Sequence, residues 1–178
     1  MDIKALQQQI SEGSEQQAMP PVDKWNPEFC GDMNLVIKRN GQWWHEGTPF
    51  TRAPLIKLLA SVIKKEGDSY FLVTPVEKIG ITVEDVPFVV IDDQIIDGII
   101  KVTTSCGDQV RIGEEHPVEI RMFAGNPVPY CHIRRNLWAR VHQNVLYRWV
   151  ESAGQVEHKG KQSLCLTSGN YSFSIGSF

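Results

Sequence analysis

Apolar positions along the chain fall into one helical stripe and a series of short, strand-like runs. Leu55, Leu58, Leu59, Val62 and Ile63 recur at i, i+3, i+4, i+7 and i+8, the spacing of one helix face. Thr51 offers a capping hydroxyl and Pro54 is tolerated in a first turn, so a helix is predicted from there to near Gly67. Before it, "MNLVIKRNGQWWHEG" holds two apolar runs around Asn40-Gly41. That pair tolerates positive φ and predicts a hairpin, with His45 at the far end of the return strand. After the helix, "SYFLVTPVEK", ending at Glu77-Lys78, and "ITVEDVPFVVIDD", turning at Asp92-Asp93, read as strands.

The next runs, Ile95 to Thr104, Gln109 to Ile112 and Val118 to Phe123, are separated by "SCGD", "GEEHP" and "AGNP". Turn residues at such short spacing predict an antiparallel meander. "CHIRRNLWARVHQN" carries Leu137, Trp138 and Val141 on one helical face, and "VLYRWVES" alternates Val145, Tyr147 and Trp149 against Leu146, Arg148 and Val150, so a short helix followed by a strand is expected. Residues 1–22 are Gln-rich, with a short helix expected at Ile3 to Ile10 and then a loose "SEGSEQQAMPP". They read as a polar arm, ahead of an α+β domain at 23–85 and a β-rich domain with one helix at 86–178.

The two halves also share an order of parts: a turn, a strand with an aromatic residue before histidine, an arginine, a helix, and a strand ending in Val-Glu. "QWWHEGTPFTR" with "PVEK" is matched by "VPYCHIRR" with "WVES", and "CGD" occurs at Cys30 and at Cys106. The expectation is an α+β protein of two lobes with repeated hairpin-helix-strand motifs and antiparallel sheets.

At 178 residues the chain can bury a sizeable core as one large domain or two small ones. Its hydrophobic share of 42% and charged share of 22% are those of an ordinary globular protein, so function must come from local features. No run reaches the roughly eighteen apolar residues of a membrane span, and "MDIKALQQQI" has no signal-peptide core; a cytoplasmic protein off the membrane is expected. A net charge of -3 gives no broad attraction for a phosphate backbone, which disfavours nucleic acid as a partner. The four cysteines form no C-x-x-C pair, and "HEGTP" has Pro49 where a zinc-binding second histidine would stand, so no metal is expected.

"PPVDKWNPEFCGD", "GQWWHEGTPFTR" and "YFLVTPVEKIGITVEDVPF" resemble, in order and spacing, the proteobacterial family called domain of unknown function 1285. "YCHIRRNLWARV" matches as well, and the C-terminal "GKQSLCLTSGNYSFSIGSF" is only loosely similar. The resemblance implies an α+β fold with repeated motifs and a C-terminal half like a pleckstrin-homology barrel. It also implies a ligand site between the two domains for a nucleotide-like molecule, and a role in signal transduction. It carries over no reaction and no cofactor.

Among individual residues Arg52 is the most informative. A cation in the first turn of a helix is unfavourable unless something anionic answers it, either a ligand or Glu46 or Glu77. His45 and Glu46 are a candidate acid-base pair, although consecutive strand residues point to opposite faces. Glu77, Lys78, Glu84 and Asp85 are a charged block suited to line a cleft, or else a solvated strand edge. His132 and Arg134, with Arg135, occupy what reads as a matching strand-to-helix corner. Trp43, Trp44, Trp138 and Trp149 read mainly as core, with one indole free to stack a base.

No Gly-rich phosphate loop, nucleophile elbow or Cys-His site is visible, so no residue is assigned as catalytic. The leading expectation is therefore a sensing or regulatory module that binds a small anionic, nucleotide-like ligand in the cleft between lobes. His45, Arg52, Lys78, His132 and Arg134 supply cations or donors, Glu77, Glu84 and Asp85 orient them or bind ligand donors, and Glu46 is a further ligand-binding candidate. The alternatives are a protein-interaction scaffold and a hydrolase using His45 as base.

Overall fold

The computed structural model describes residues 2–13 and 19–177, which divide into two units, Met1–Asp85 and Val86–Phe178. In the first, the Asn40-Gly41 turn joins strand β1 (Phe29–Ile37) to β2 (Trp43–His45), with Gly41 at φ 87°. A second tight turn at Glu46-Gly47 leads to β3 (Thr48–Pro49). Helix α2 (Ala53–Ala60) follows α1 (Ile3–Gly13) in chain order and is succeeded by β4 (Ile63–Glu66), β5 (Ser69–Val73) and β6 (Lys78–Val83). The sheet runs β3-β2-β1-β6-β5-β4, antiparallel throughout except for the central β1–β6 pair, which is parallel.

The predicted stripe is split between two elements. Arg52, not Thr51, is the residue at the N-terminal cap of α2, and the helix stops at Ala60. Val62 and Ile63 are fully buried beyond it, with Ile63 in β4. The first residues are not a detached arm either. In α1, Leu6 and Ile10 have no exposed surface, and Gln9 Oε1 accepts from the Thr74 hydroxyl at 2.9 Å. Two large aliphatic side chains buried in this way contribute about 1.5–3 kcal/mol each. Of the loose segment expected to follow, residues 11–13 are helical and residues 14–18 lie outside the described residues.

The second unit contains β7 (Phe88–Ile96), β8 (Ile99–Thr104), β9 (Gln109–Arg111), β10 (Val118–Phe123), β11 (Asn126–Arg134) and β12 (Leu137–Val141). These form a sheet of order β10-β11-β12-β7-β8-β9, again with one parallel pair, β12 with β7. Helix α3 (Gln143–Ser152) and a three-stranded sheet of β13 (Gly154–His158), β14 (Lys161–Ser168) and β15 (Tyr171–Ser177) complete it. Counted from its own first strand, each six-stranded sheet has the order third, second, first, sixth, fifth, fourth. One of the two is curled into a half-barrel. The fold is thus mixed α/β and mostly sheet, and neither large sheet is purely antiparallel.

Two expectations for the second half are reversed. Residues 137–141 form a strand, with Leu137, Ala139 and Val141 buried, because β12 is wedged between β11 and β7. "VLYRWVES" lies in helix α3, where Val145 and Trp149, four residues apart, are the buried face. The His142 side chain caps it by accepting from the Asn144 N–H at 3.2 Å. Asp92 and Asp93 lie within β7 rather than in a turn; the hairpin turn is at Asp97-Gly98, both at positive φ. Asp93 accepts from the Trp149 indole at 3.0 Å and from Arg148, which pins α3 to β7.

The matched corners proposed for the two halves do not coincide. The His45–Arg52 segment spans the second and third strands of its sheet and the start of a helix. His132 and Arg134 lie at the end of the fifth strand of theirs, at a hairpin whose turn residue Arg135 has φ 51°. Cys30-Gly31-Asp32 is part of β1, whereas Cys106-Gly107-Asp108 is a turn between β8 and β9.

Candidate functional site

In the first unit the expected residues fall into three groups. His45 Nε2 lies 3.8 Å from Glu46 Oε1, and the imidazole stacks on Phe50 with ring centroids 5.9 Å apart. The objection from strand alternation does not apply, because Glu46 leaves extended geometry at φ 49° and so escapes the two-residue period. Arg52 is exposed and forms no ion pair among the described residues, with Glu46 and Glu77 included. Glu84 accepts from the Arg39 N–H at 2.8 Å and faces Lys38 at 3.5 Å. The Arg39 N–H foremost, and then the Lys38 charge, hold its carboxyl below the ordinary value. Asp85 follows it at the end of the unit.

Glu77 and Lys78, though adjacent, belong to different structures. The Thr74–Glu77 segment is a turn closed by Thr74 Oγ1, which accepts from the N–H groups of Val76 and Glu77. Glu77 Oε2 is buried without a hydrogen-bond partner among the described residues. Lys78 opens β6 and lies on the face of the sheet that carries a recess.

That recess is built by registry. Phe29 is opposite Lys78 across the parallel pair, Asp32 is opposite Gly80, and Phe71 of β5 is opposite Gly80 on the other side. Directly paired residues share a face, so Phe29, Asp32, Phe71 and Lys78 are gathered on one surface around a residue with no side chain. The result is a cavity of about 440 Å³, walled in addition by Tyr70 and Asp68. Phe29, 56% exposed, meets Phe71 edge-on at 6.0 Å. The Lys78 ammonium lies 4.4 Å from the Phe71 ring centroid.

Gly80 is required for this arrangement: a Cβ there would run into the Asp32 carboxylate. Lys78 also donates to Glu66, whose other oxygen is 3.5 Å from Lys64. The Lys78 hydrogen bond, with the charges of both lysines, holds the Glu66 carboxyl below its usual value. One carboxylate is therefore shared by two ammonium groups, and Lys78 can turn to another anion while Glu66 remains paired.

In the second unit the expected residues act within the fold. Arg134 pairs with Asp108 of the β8–β9 turn, both side chains being nearly buried, and lies over the Phe88 ring at 4.7 Å. Burial lowers the pKa of its guanidinium, and Asp108 opposes that shift. His132 has Nδ1 3.2 Å from the Glu115 carbonyl, contacts the Arg135 carbonyl through Nε2, and stacks on His116 at 5.6 Å. It thereby fixes one wall of a larger concavity of about 810 Å³ that includes Arg111, His116, Asn170 and Tyr171. Of the tryptophans, Trp43 and Trp149 are core, while Trp44 and Trp138 are partly exposed beneath Lys38 and Arg121.

Sequence reasoning found Lys78 but missed Phe29, Asp32, Phe71 and Gly80. Phe29 and Asp32 stand within the "EFCGD" motif, but their partners are some forty to fifty residues away, and only the β1–β6–β5 registry joins them.

Two units, each with a six-stranded sheet of the same order, define a two-domain, mainly β protein of mixed α/β class. Residues 20–86 match "Domain of unknown function (DUF1285), N-terminal domain", and residues 87–175 match "Protein of unknown function (DUF1285), C-terminal domain". The chain belongs to the DUF1285 family. It is similar to the crystal structure of a DUF1285 family protein from Silicibacter pomeroyi DSS-3, at 33% identity over 96% of this chain and 93% of that one, with a TM-score of 0.83. A DUF1285 family protein from Shewanella baltica OS155 is 28% identical over 67% of this chain and 92% of its own, with a TM-score of 0.56. Comparison with curated proteins gave no match. Among the described residues, no helix is long and apolar enough to cross a membrane.

Proposed function

We propose that this protein is a sensing module in signal transduction whose first unit binds a small, planar, anionic ligand of nucleotide-like kind. The observation that carries this reading is the ammonium of Lys78 poised beside the Phe29–Phe71 pair and sharing Glu66 with Lys64. An aromatic platform takes a planar base by its face. The Asp32 carboxylate, held over Gly80, accepts from an amino or hydroxyl group of the same molecule. Lys78 takes the phosphate, and Lys64 keeps Glu66 neutralised while it does so. The mixture of one available cation with carboxylates Asp32 and Asp68 fits a ligand with both an anionic group and hydrogen-bond donors better than a bare anion.

For the second unit we keep the pleckstrin-homology-like reading, supported by packing of β15 on β10 and β11 and of α3 on β7. The common strand order of the two sheets supports an internal repeat at the level of the sheet. Hydrolysis based on His45 has one observation in its favour, the 3.8 Å contact with Glu46. It predicts nucleotide turnover that His45→Ala abolishes.

The test is a thermal-shift series with nucleoside monophosphates, cyclic dinucleotides and sugar phosphates on the wild type, Lys78→Ala and Phe29→Ala. A ligand that binds only the folded state raises the melting midpoint. Nucleotides should do so in a concentration-dependent way, more than sugar phosphates, and both substitutions should remove most of the effect. An equal shift in Lys78→Ala, or none with any nucleotide, would sink the reading.

A further inference from the structure

A second concavity, in the C-terminal unit, has a different chemistry. The β13–β14 hairpin turns at Lys159-Gly160, both at positive φ (52° and 75°), as a two-residue hairpin turn requires. Lys161 starts the return strand, so two ammonium groups stand at one hairpin tip. Neither forms an ion pair among the described residues. Two residues along β14, Ser163 shares the face of Lys161 and is flanked in register by Val156 and Ser177. Ser174, opposite Cys165, completes the hydroxyl-bearing surface, its Oγ held 3.3 Å from both the N–H and the carbonyl of Gly176. Glu157 alternates onto the opposite face.

The far wall comes from the β10–β11 hairpin. Ile120 and Pro127 line it, and the exposed Met122, paired with Pro127 and on the same face as Ile120, extends it outward. Glu119 and Arg121 alternate to the other side, where they bond each other at 3.1 Å. The space is about 420 Å³, and no carboxylate is among its described lining residues. Two unanswered ammonium groups, three hydroxyls and an adjoining apolar wall are complementary to an anion that carries an apolar substituent.

We propose that this groove is a binding site for an organophosphate bearing a short apolar chain. Lys159, Lys161 and the serines take the phosphate, and Ile120 and Pro127 cover the first methylenes. The site is independent of the nucleotide-like ligand proposed for the first unit. The phosphate has two possible sources, a free alkyl phosphate or a lipid headgroup, which the test separates.

Calorimetric titration of the full chain with inorganic phosphate and with hexyl phosphate is the first arm. The second is co-sedimentation with phosphatidylcholine vesicles with and without phosphatidate. Burial of two methylenes should make hexyl phosphate bind roughly tenfold tighter than inorganic phosphate. Lys159→Gln/Lys161→Gln should abolish binding of both, Lys159→Arg/Lys161→Arg should retain it, and Ile120→Ser should weaken hexyl phosphate alone. Because both lysines are exposed, an unchanged melting midpoint is expected of these lysine variants. Lys78→Ala should leave hexyl phosphate binding intact, which separates this site from the first-unit proposal.

Hexyl phosphate binding without vesicle binding supports the site with a free ligand. Phosphatidate-dependent sedimentation lost in the glutamine variant supports it with a lipid headgroup. Equal affinity for inorganic and hexyl phosphate would overturn the apolar half of the proposal. Failure of both hexyl phosphate and vesicles to bind, or binding unchanged in the glutamine variant, would overturn it altogether.

Discussion

Lys78 in the first unit and Arg134 in the second are both cations placed beside a carboxylate and over an aromatic ring, yet they do opposite things. Lys78 faces a recess, and its partner Glu66 is 41% exposed and already held by Lys64. Arg134 and Asp108 are 13% and 14% exposed, and Asp108 is tied further by the Thr104 hydroxyl at 3.1 Å. The sheets around them have the same strand order, so topology does not explain the contrast. Burial of the carboxylate does: a cation whose partner is open to water and shared with a second lysine can exchange ligands, whereas one paired with a nearly buried carboxylate serves as a clamp between a strand end and a turn.

The largest effect that should sharpen this contrast is Arg134→Ala. It leaves Asp108 buried without its guanidinium and should cost about 3–5 kcal/mol, read as a fall in the urea midpoint. Lys78→Ala should cost far less. Comparable losses for the two would erase the distinction.

A pH titration gives the next effect. The Glu66 carboxyl lies below its ordinary value of 4.5 in the folded chain. Its contribution to stability is therefore complete above that value and lost as pH falls through the lower folded one. The difference in denaturation midpoint between wild type and Glu66→Gln should be constant near neutrality and close as the solution is acidified below 4.5. A difference that widened on acidification would mean the carboxyl is not depressed.

The smallest effect belongs to Arg52. Exposed and without an ion pair among the described residues, it should tolerate substitution by alanine within roughly 0.5 kcal/mol. A larger loss would show that this arginine, like Arg134, is a clamp.

The local chemistry of the chain was sufficient for several elements. Asn40-Gly41 defines its hairpin because Gly41 accepts the positive φ (87°) that the turn requires, and Leu55 to Leu59 start a helix because their spacing repeats on one face. The family was equally legible, from motifs such as "GQWWHEGTPFTR". Tertiary structure decided the rest. Leu137, Trp138 and Val141 suit a helix face or a strand, and Val145, Tyr147 and Trp149 alternate while also placing Val145 and Trp149 four apart. Short apolar runs carry both periods at once, and only the pairing of β12 with β11 and β7, together with the His142 cap, separates strand from helix. The recess is a still clearer case. Asp32 and Gly80 are 48 positions apart and become neighbours through a parallel strand pair, a contact that no local period encodes.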